Sequence, residues 1–172
     1  MSDFVVKPKD LSSLLDAGTG SLEDRVAILQ LISLYSHLVD DFSPVLWGDL
    51  FTDDASFEIR FARGGPESAS VMDGKQSILD LILPRQAKFR EQGIQRRHYL
   101  TNPAVADQLA DSARVMAYLM LVSLSPDRSM EVVGTGRYDG LVVKTPAGWR
   151  IQQWCMTADG DGQSLTSEAE SR

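Results

Sequence analysis

His98 is one of only two histidines in the 172-residue sequence, and it lies in the strand-like segment RRHYLTNP, residues 96–103. An imidazole titrates near neutrality, so it can accept a proton from a substrate and later return it. A neighbouring carboxylate would fix the tautomer of the ring and stabilise the imidazolium once it forms. The chemistry of this segment therefore depends on whether the fold brings an acidic side chain to His98.

The candidate acid is Asp40, which lies near the end of a predicted helix that begins after Ser21. Ser21 and Asp24 have the spacing of a capping box, in which the serine hydroxyl accepts a bond from a free backbone N–H. Placing residues at 100° per step puts Asp41 on a solvated stripe with His37, whereas Asp40 falls on a face of apolar and small residues. Burial of a carboxylate is costly and uncommon without a partner or a role. The helix therefore presents one outward aspartate and one that needs a partner.

The elements that must position this pair follow in a clear order. A short helix starts at Pro44 with Ser43 as its cap, the sequence TDDA predicts a turn, and SFEIRFA predicts a strand with Phe57 on its apolar face. RGGPES is a loop, and residues 73–92 predict a third helix that Pro84 kinks or restarts. Four antiparallel strands are then predicted, namely QRRHYLTN, ARVMAYLMLVSLS, MEVVGTGRYDGLVVKT and WRIQQWCMTA.

The strand at residues 115–125 is apolar on both of its faces. An antiparallel strand with one wet face would alternate with polar residues, so both sides of this strand must be covered. Helices around a pocket would cover one side, and another layer of the fold or a second subunit would cover the other. The sequence predicts an α+β domain with a curved antiparallel sheet wrapped over helices, and it predicts a homodimer.

Composition limits the function. Hydrophobic residues make up 43% of the chain and the net charge is −7, with a pI near 4.8. The acidic balance argues against nucleic acid, which needs a clustered basic surface, and against an anionic membrane surface. Cys155 is the single cysteine, which favours a reducing, cytoplasmic compartment, and no apolar run reaches membrane-spanning length. We expect an N-terminal arm at 1–20, one domain at 21–158 and a flexible tail at 159–172.

Other motifs carry no chemistry of their own. Two histidines on different elements without a third evident ligand argue against zinc, and DGDG in the tail lacks the spacing of a calcium loop. No serine lies in a nucleophile-elbow pattern. We therefore expect neither a metal nor a cofactor.

The sequence resembles the SnoaL-like branch of the nuclear transport factor 2-like superfamily. The resemblance covers roughly residues 20–158, and the order and spacing of four segments support it: LYSHLVDDF, LFTDDASFEI, RRHYLTNP and GRYDGLVVKTPAGWRI. It implies a cone in which a curved sheet wraps around three helices and encloses an apolar pocket. It also implies a homodimer or a homotrimer.

In the dehydratase-like members of this superfamily, an aspartate late in the first helix and a histidine on the next long strand form an acid/base pair. Asp40 and His98 match those positions, and Tyr35 resembles a pocket tyrosine of the bile-acid dehydratase. The second pocket histidine of scytalone dehydratase has no counterpart in the strand YLMLVSLS. The resemblance therefore implies the acid/base pair but does not identify one particular reaction.

We hypothesise a cofactor-free dehydratase, isomerase or cyclase that acts on an apolar, ring-containing small molecule. His98, Asp40 and Tyr35 are the candidate catalytic residues, and the candidate substrate-binding residues are Asn102, which shares the strand face of His98, and Phe57, Met116, Tyr118 and Trp154. One alternative is that His98 has only a structural role. Another is that the protein is a non-catalytic binding or assembly subunit. An epoxide hydrolase is a third, but it would need an aspartate–arginine network that the sequence does not place.

Overall fold

The structure is a computed structural model that describes residues 18–63 and 69–160. Most of the predicted N-terminal arm and C-terminal tail, and most of the RGGPES loop, lie outside the described residues. The described helices are α1, Leu22–Asp40, α2, Pro44–Gly48, and α3, Lys75–Glu91. The described strands are β1, Phe51–Phe61, β2, Ser70–Asp73, β3, Gln95–Ala106, β4, Ser112–Leu124, β5, Met130–Thr145, and β6, Gly148–Ala158.

The strands form one six-stranded sheet in the order β2-β1-β6-β5-β4-β3. This α+β architecture confirms the predicted fold class, but the sheet is mixed, because β1 pairs with β6 in parallel while the other neighbours are antiparallel. The predicted turn at TDDA is also wrong. The strand begins at Phe51, and the TDDA residues fall where the β1–β6 register shifts between Phe51 and Ser56.

Helix α1 begins where its sequence predicts, but Leu22 and Val26, which the helical sorting groups with Asp40, are exposed. The Ser21 hydroxyl accepts a hydrogen bond from the backbone N–H of Asp24 at 3.1 Å. Its buried face follows helical spacing and enters the main hydrophobic core through Ile28, Leu31, Ile32, Tyr35 and Val39. Helix α3 continues through Pro84 without a break, although a proline removes one backbone hydrogen bond there.

Strand β4 separates the two faces of the curved sheet. Ala113, Val115, Ala117, Leu119 and Leu121 point inward and are buried against the helices. Tyr118 is 61% exposed and Met120 is 38% exposed on the outer face. The inner face, which we call the concave face, therefore holds the core, whereas the outer or convex face is left uncovered by the described residues.

Candidate functional site

Asp40 and His98 meet in a direct hydrogen bond. The Nδ1 atom of His98 lies 2.5 Å from Oδ1 of Asp40, and the side chains are only 11% and 5% exposed respectively. The other carboxylate oxygen, Oδ2, accepts a bond from the backbone N–H of His98 at 2.8 Å. One carboxylate thus binds both the ring and the backbone N–H of the histidine.

The two elements that carry the pair are fixed to each other at this point. Asp40 is the last residue of α1, and the helix ends where it contacts β3. The side-chain amide of Gln95 donates to the backbone carbonyl of Asp40 at 3.4 Å. The neighbouring Asp41 is 65% exposed and forms an outer ion pair with Arg97 at 3.3 Å. The two adjacent aspartates therefore have the inward and outward positions that helical sorting predicts.

His98 lines a cavity between the concave face of the sheet and helices α1 and α3. Its apolar wall consists of Val39, Phe57, Ile59, Ile82, Phe89, Leu119, Leu121, Met156 and Ala158. The cavity volume is about 80 Å³, whereas an apolar cavity of about 150 Å³ is known to hold benzene. A ring-bearing ligand would therefore widen this cavity or leave part of itself in the mouth.

Two buried tyrosines face the same cavity. The hydroxyls of Tyr35 and Tyr138 lie 3.5 Å apart, and both residues line the cavity with His98. Burial raises the pKa of Tyr138 to about 12. Burial is also the main cause that raises the pKa of Tyr35 well above its usual range, and the neighbouring Tyr138 is the second cause. Both phenols therefore remain protonated at neutral pH and can donate hydrogen bonds to an oxygen in the cavity.

Tyr138 was missed by the sequence reasoning, although a signal for it exists in the motif GRYDG. Its ring stacks on Trp154 with centroids 5.0 Å apart and an interplanar angle of 19°. A Cβ atom on Gly140 would lie 2.3 Å from the Trp154 ring, so only glycine lets the indole occupy that position. A tyrosine between glycines on a strand thus marks a place where large rings pack against bare backbone.

Arg96 and Arg85 were also missed as cavity residues. Arg96 shares the face of His98 on β3, is 6% exposed, and lies with its guanidinium carbon 3.9 Å from the centroid of the Phe89 ring. Arg85 lies on α3 and also lines the cavity. The sequence places Arg96 on the same strand face as His98 by alternation, but nothing in the sequence places Arg85 beside them.

Of the five predicted substrate-binding residues, Phe57 lines the cavity. The other four, Met116, Tyr118, Trp154 and Asn102, do not line it. Met116 and Tyr118 do not, because they lie on the convex face, opposite the buried Ala117 and Leu119 of β4. Trp154 is on the concave face but is 1% exposed behind the tyrosine pair, so it supports the cavity wall and does not line it.

Asn102 is the fourth, and it is not beside His98. The β3–β4 register shifts between Thr101 and Ala104, and Asn102 has φ of +52° and an exposed side chain. A bulge of this kind interrupts the alternation of the strand, and Asn is one of the few residues that tolerate positive φ. The expectation that Asn102 shares the face of His98 is therefore wrong.

Two further findings concern ligands and membranes. Within residues 18–63 and 69–160, no group of three or more His, Cys, Asp or Glu side chains is arranged to hold a metal ion. Among the same residues, no helix combines the length and the apolar character needed to cross a membrane.

Comparison with known proteins identifies the class and then the family. The solved structures that resemble this fold include an NTF2-like protein with a cystatin-like fold from Novosphingobium aromaticivorans, which is 21% identical with a TM-score of 0.66 over 84% of this chain and 88% of that chain. ActVI-ORFA from Streptomyces coelicolor is 19% identical with a TM-score of 0.64 over 78% of this chain and 96% of its own. The fold is therefore that of the NTF2-like class.

The SnoaL-like domain model matches residues 20–155, so the chain belongs to the SnoaL-like family. A structure from Novosphingobium aromaticivorans described as a "putative aromatic ring hydroxylase" is 26% identical, with a TM-score of 0.64 over 85% of this chain and 99% of that chain. No curated protein sequence is significantly similar to the chain. The family includes cyclases and subunits of ring-hydroxylating dioxygenases.

Proposed function

We propose that the protein is a cofactor-free acid/base enzyme of the dehydratase, isomerase or cyclase type. The observation that carries the proposal is the buried Asp40 carboxylate 2.5 Å from Nδ1 of a histidine that lines a cavity. With Nδ1–H donating to the carboxylate, Nε2 of His98 keeps its lone pair for the substrate. The ring that faces the cavity is therefore prepared to act as a base.

In the proposed reaction, Nε2 of His98 removes a proton from carbon beside a carbonyl or a leaving group. Asp40 stabilises the resulting imidazolium, and the hydroxyls of Tyr35 and Tyr138 donate to the substrate oxygen on which negative charge develops. The imidazolium then returns its proton to a departing hydroxyl, to another carbon, or to the oxygen formed when the carbanion attacks a carbonyl within the same molecule. These three endings correspond to dehydration, isomerisation and cyclisation.

The test begins with a screen of small ketones and hydroxy compounds for thermal stabilisation, followed by NMR detection of turnover or of deuterium exchange at carbon. His98→Ala should reduce the rate about 10²- to 10⁴-fold, the usual contribution of a general base. Asp40→Asn should reduce it comparably, because the shape stays and the charge is lost.

The chain supplies a matched control for each substitution. His37→Ala removes the exposed histidine of α1, and Asp41→Asn removes the exposed neighbour of Asp40, so neither should change the rate by more than about twofold. A substrate whose turnover survives both His98→Ala and Asp40→Asn would show that the chemistry lies elsewhere.

A non-catalytic subunit is the second candidate function, and the exposed apolar convex face favours it. Its large exposed side chains are Tyr99, Tyr118, Met120, Leu124, Met130 and Val132. A structure from Novosphingobium aromaticivorans described as the "beta subunit of a putative aromatic-ring-hydroxylating dioxygenase" is 19% identical and shares the fold, with a TM-score of 0.65 over 78% of this chain and 88% of that chain. Turnover by the purified chain alone would argue against this role.

We also propose that the convex face joins two copies of the chain into a cytoplasmic homodimer. Contiguous exposed apolar area of this kind is typical of interfaces. The compartment is proposed because Cys155 is a free buried thiol, as is usual in a reducing environment. Light scattering should give twice the 19.0 kDa chain mass at micromolar concentration. Tyr118→Lys combined with Met120→Lys should shift the protein to monomer, and a wild-type protein that is monomeric at that concentration would contradict the proposal.

A further inference from the structure

A second and larger space adjoins the cavity that His98 lines. This outer chamber lies between the C-terminal ends of α1 and α3 and the first residues of β3, and its volume is about 340 Å³. Four residues line both the outer chamber and the cavity, namely Val39, Gln86, Phe89 and Arg96. Their side chains therefore form the partition between the two spaces.

Phe89 and Arg96 pack against each other within this partition. The guanidinium carbon of Arg96 lies 3.9 Å from the centroid of the Phe89 ring, and both residues are 6% exposed. A guanidinium and an aromatic face attract each other at this distance. The Phe89 ring is thus held in the partition by a specific contact.

The backbone beneath the ring is fixed by the cap of α3. Gly93 has φ of +70°, and the backbone N–H of Ile94 donates to the carbonyl of Phe89 at 2.9 Å. A glycine in this conformation with this hydrogen bond is a common way to end a helix. A change of side-chain rotamer at Phe89 is therefore the smallest movement that joins the two spaces.

The sizes of the two spaces limit what each can hold. The cavity is about 80 Å³, smaller than the apolar cavity of about 150 Å³ that holds benzene. The outer chamber, at about 340 Å³, lies within the range of about 300 to 1,000 Å³ that is typical of ligand sites. A ring-bearing ligand therefore fits with its bulk in the outer chamber and a narrow end beside His98.

The linings of the two spaces differ in chemistry as well as in size. The cavity wall is mainly apolar. The outer chamber is lined in part by the polar residues Asp41, Gln86, Arg90 and Gln95. Amide side chains both donate and accept hydrogen bonds, so the outer chamber suits a part of the ligand that carries hydroxyl or carbonyl groups.

We infer that the substrate has two parts, a narrow reacting end that enters the cavity and a ring-bearing, hydrogen-bonding body that stays in the outer chamber. Phe89 is then a specificity-determining residue, because its ring limits the width of the link between the two parts. The inference rests on the proposed function and adds the shape of the substrate to it. Arg96 and His98 are two residues apart on β3, about 7 Å along the strand, so the link is a short chain of single bonds.

The test compares two ketones that carry the same acetyl and phenol groups. In para-hydroxybenzylacetone a chain of two carbons separates the carbonyl from the ring, and in para-hydroxyacetophenone the ring is attached directly. Titration followed by NMR chemical-shift changes measures both affinities. The wild-type protein should bind the chain-linked ketone at least about tenfold more tightly than the compact one, because the narrow end of the former fits the cavity.

Phe89→Ala should reduce this preference at least about fivefold, because the ring of the compact ketone can then lie across both spaces. Phe61→Ala is the matched control, since Phe61 packs on the core but is absent from both linings, and it should leave the preference unchanged. If Phe89→Ala fails to fold, Phe89→Leu replaces it and should reduce the preference at least about twofold.

A wild-type protein that binds the two ketones equally, or binds neither of them, would overturn the inference. A preference that the Phe89 variant leaves unchanged would overturn it too. Benzylacetone, which lacks the hydroxyl group, should bind at least about threefold more weakly than its hydroxylated form, and equal affinities would refute the hydrogen-bonding body.

Failure of the proposed function gives a different result, because these affinities do not depend on turnover. A preference that Phe89→Ala removes, in a protein that turns over no ketone or hydroxy compound, would refute the enzyme proposal and leave the two-part site standing. Turnover that depends on His98, without any preference between the two ketones, would do the reverse.

Discussion

The concave and convex faces of the sheet are built from the same kind of residue but have different environments. On β4 the inward Leu119 is 7% exposed and the outward Tyr118 beside it is 61% exposed. The concave face closes the core and the cavity, while the convex face presents large apolar side chains that nothing among the described residues covers. Hydrophobicity on a strand thus identifies a surface to be buried but not which partner buries it.

The largest expected difference between the faces concerns two large aromatic side chains. Trp154→Ala should lower the free energy of unfolding by about 3 to 5 kcal/mol, the usual cost of truncating a buried tryptophan, because Trp154 is 1% exposed. Tyr118→Ala should cost less than about 1 kcal/mol in the monomer, as is usual for surface positions. Urea denaturation followed by circular dichroism, at a concentration where the monomer dominates, measures both.

Trp154→Phe is the control, because it keeps a ring beside Tyr138 and should recover part of the loss. Equal costs for Trp154→Ala and Tyr118→Ala in the monomer would show that the two faces are not different in the way described.

Much of the fold could be predicted because it depends on local signals. The capping pair at Ser21 and Asp24 places the start of α1, and the predicted strand MEVVGTGRYDGLVVKT coincides with β5, Met130–Thr145. Pairing between distant strands has no such signal. The parallel contact of β1 with β6 joins segments about a hundred residues apart, and the local pattern of neither strand specifies it.

The site could be predicted only where residue type and helical phase agreed. Asp40 differs from Asp41 by one step of 100°, and that step separates the buried aspartate from the exposed one. Both faces of β4 are apolar, so its sequence does not show which side chains point inward. For that reason the sequence-based prediction puts Met116 and Tyr118 on the wrong side of the sheet. Tyr138 reaches the cavity because its strand lies between β4 and β6, which depends on sheet order.

A second difference between the faces should appear at alkaline pH. Burial raises the pKa of Tyr138 to about 12 in the folded protein, whereas a tyrosine in the unfolded chain ionises near pH 10. Between these values the unfolded state binds fewer protons, so the free energy of unfolding falls as pH rises. At about 1.4 kcal/mol per pH unit, this residue should account for a loss of about 2 to 3 kcal/mol.

Tyr138→Phe should therefore make the stability of the protein less steeply dependent on pH between pH 10 and 12. Tyr118→Phe, on the exposed convex face, should leave that dependence unchanged at a concentration where the monomer dominates. Urea denaturation at several pH values provides the comparison, and identical slopes for the two variants would mean that Tyr138 is not buried in the way described.

The smallest expected effect lies where the alternation of faces fails, at the bulge in β3. Asn102 has φ of +52°, a conformation that costs an ordinary residue about 1 to 2 kcal/mol and Asn or Gly less. Asn102→Ala should therefore lower the free energy of unfolding by about 1 kcal/mol, and Asn102→Gly by less than about half of that. Because the side chain is exposed and outside the cavity, neither variant should change the rate on a substrate that requires His98. A folded Asn102→Gly protein with a rate reduced tenfold or more would show instead that this amide reaches the substrate, and that β3 keeps one face toward the cavity beyond His98.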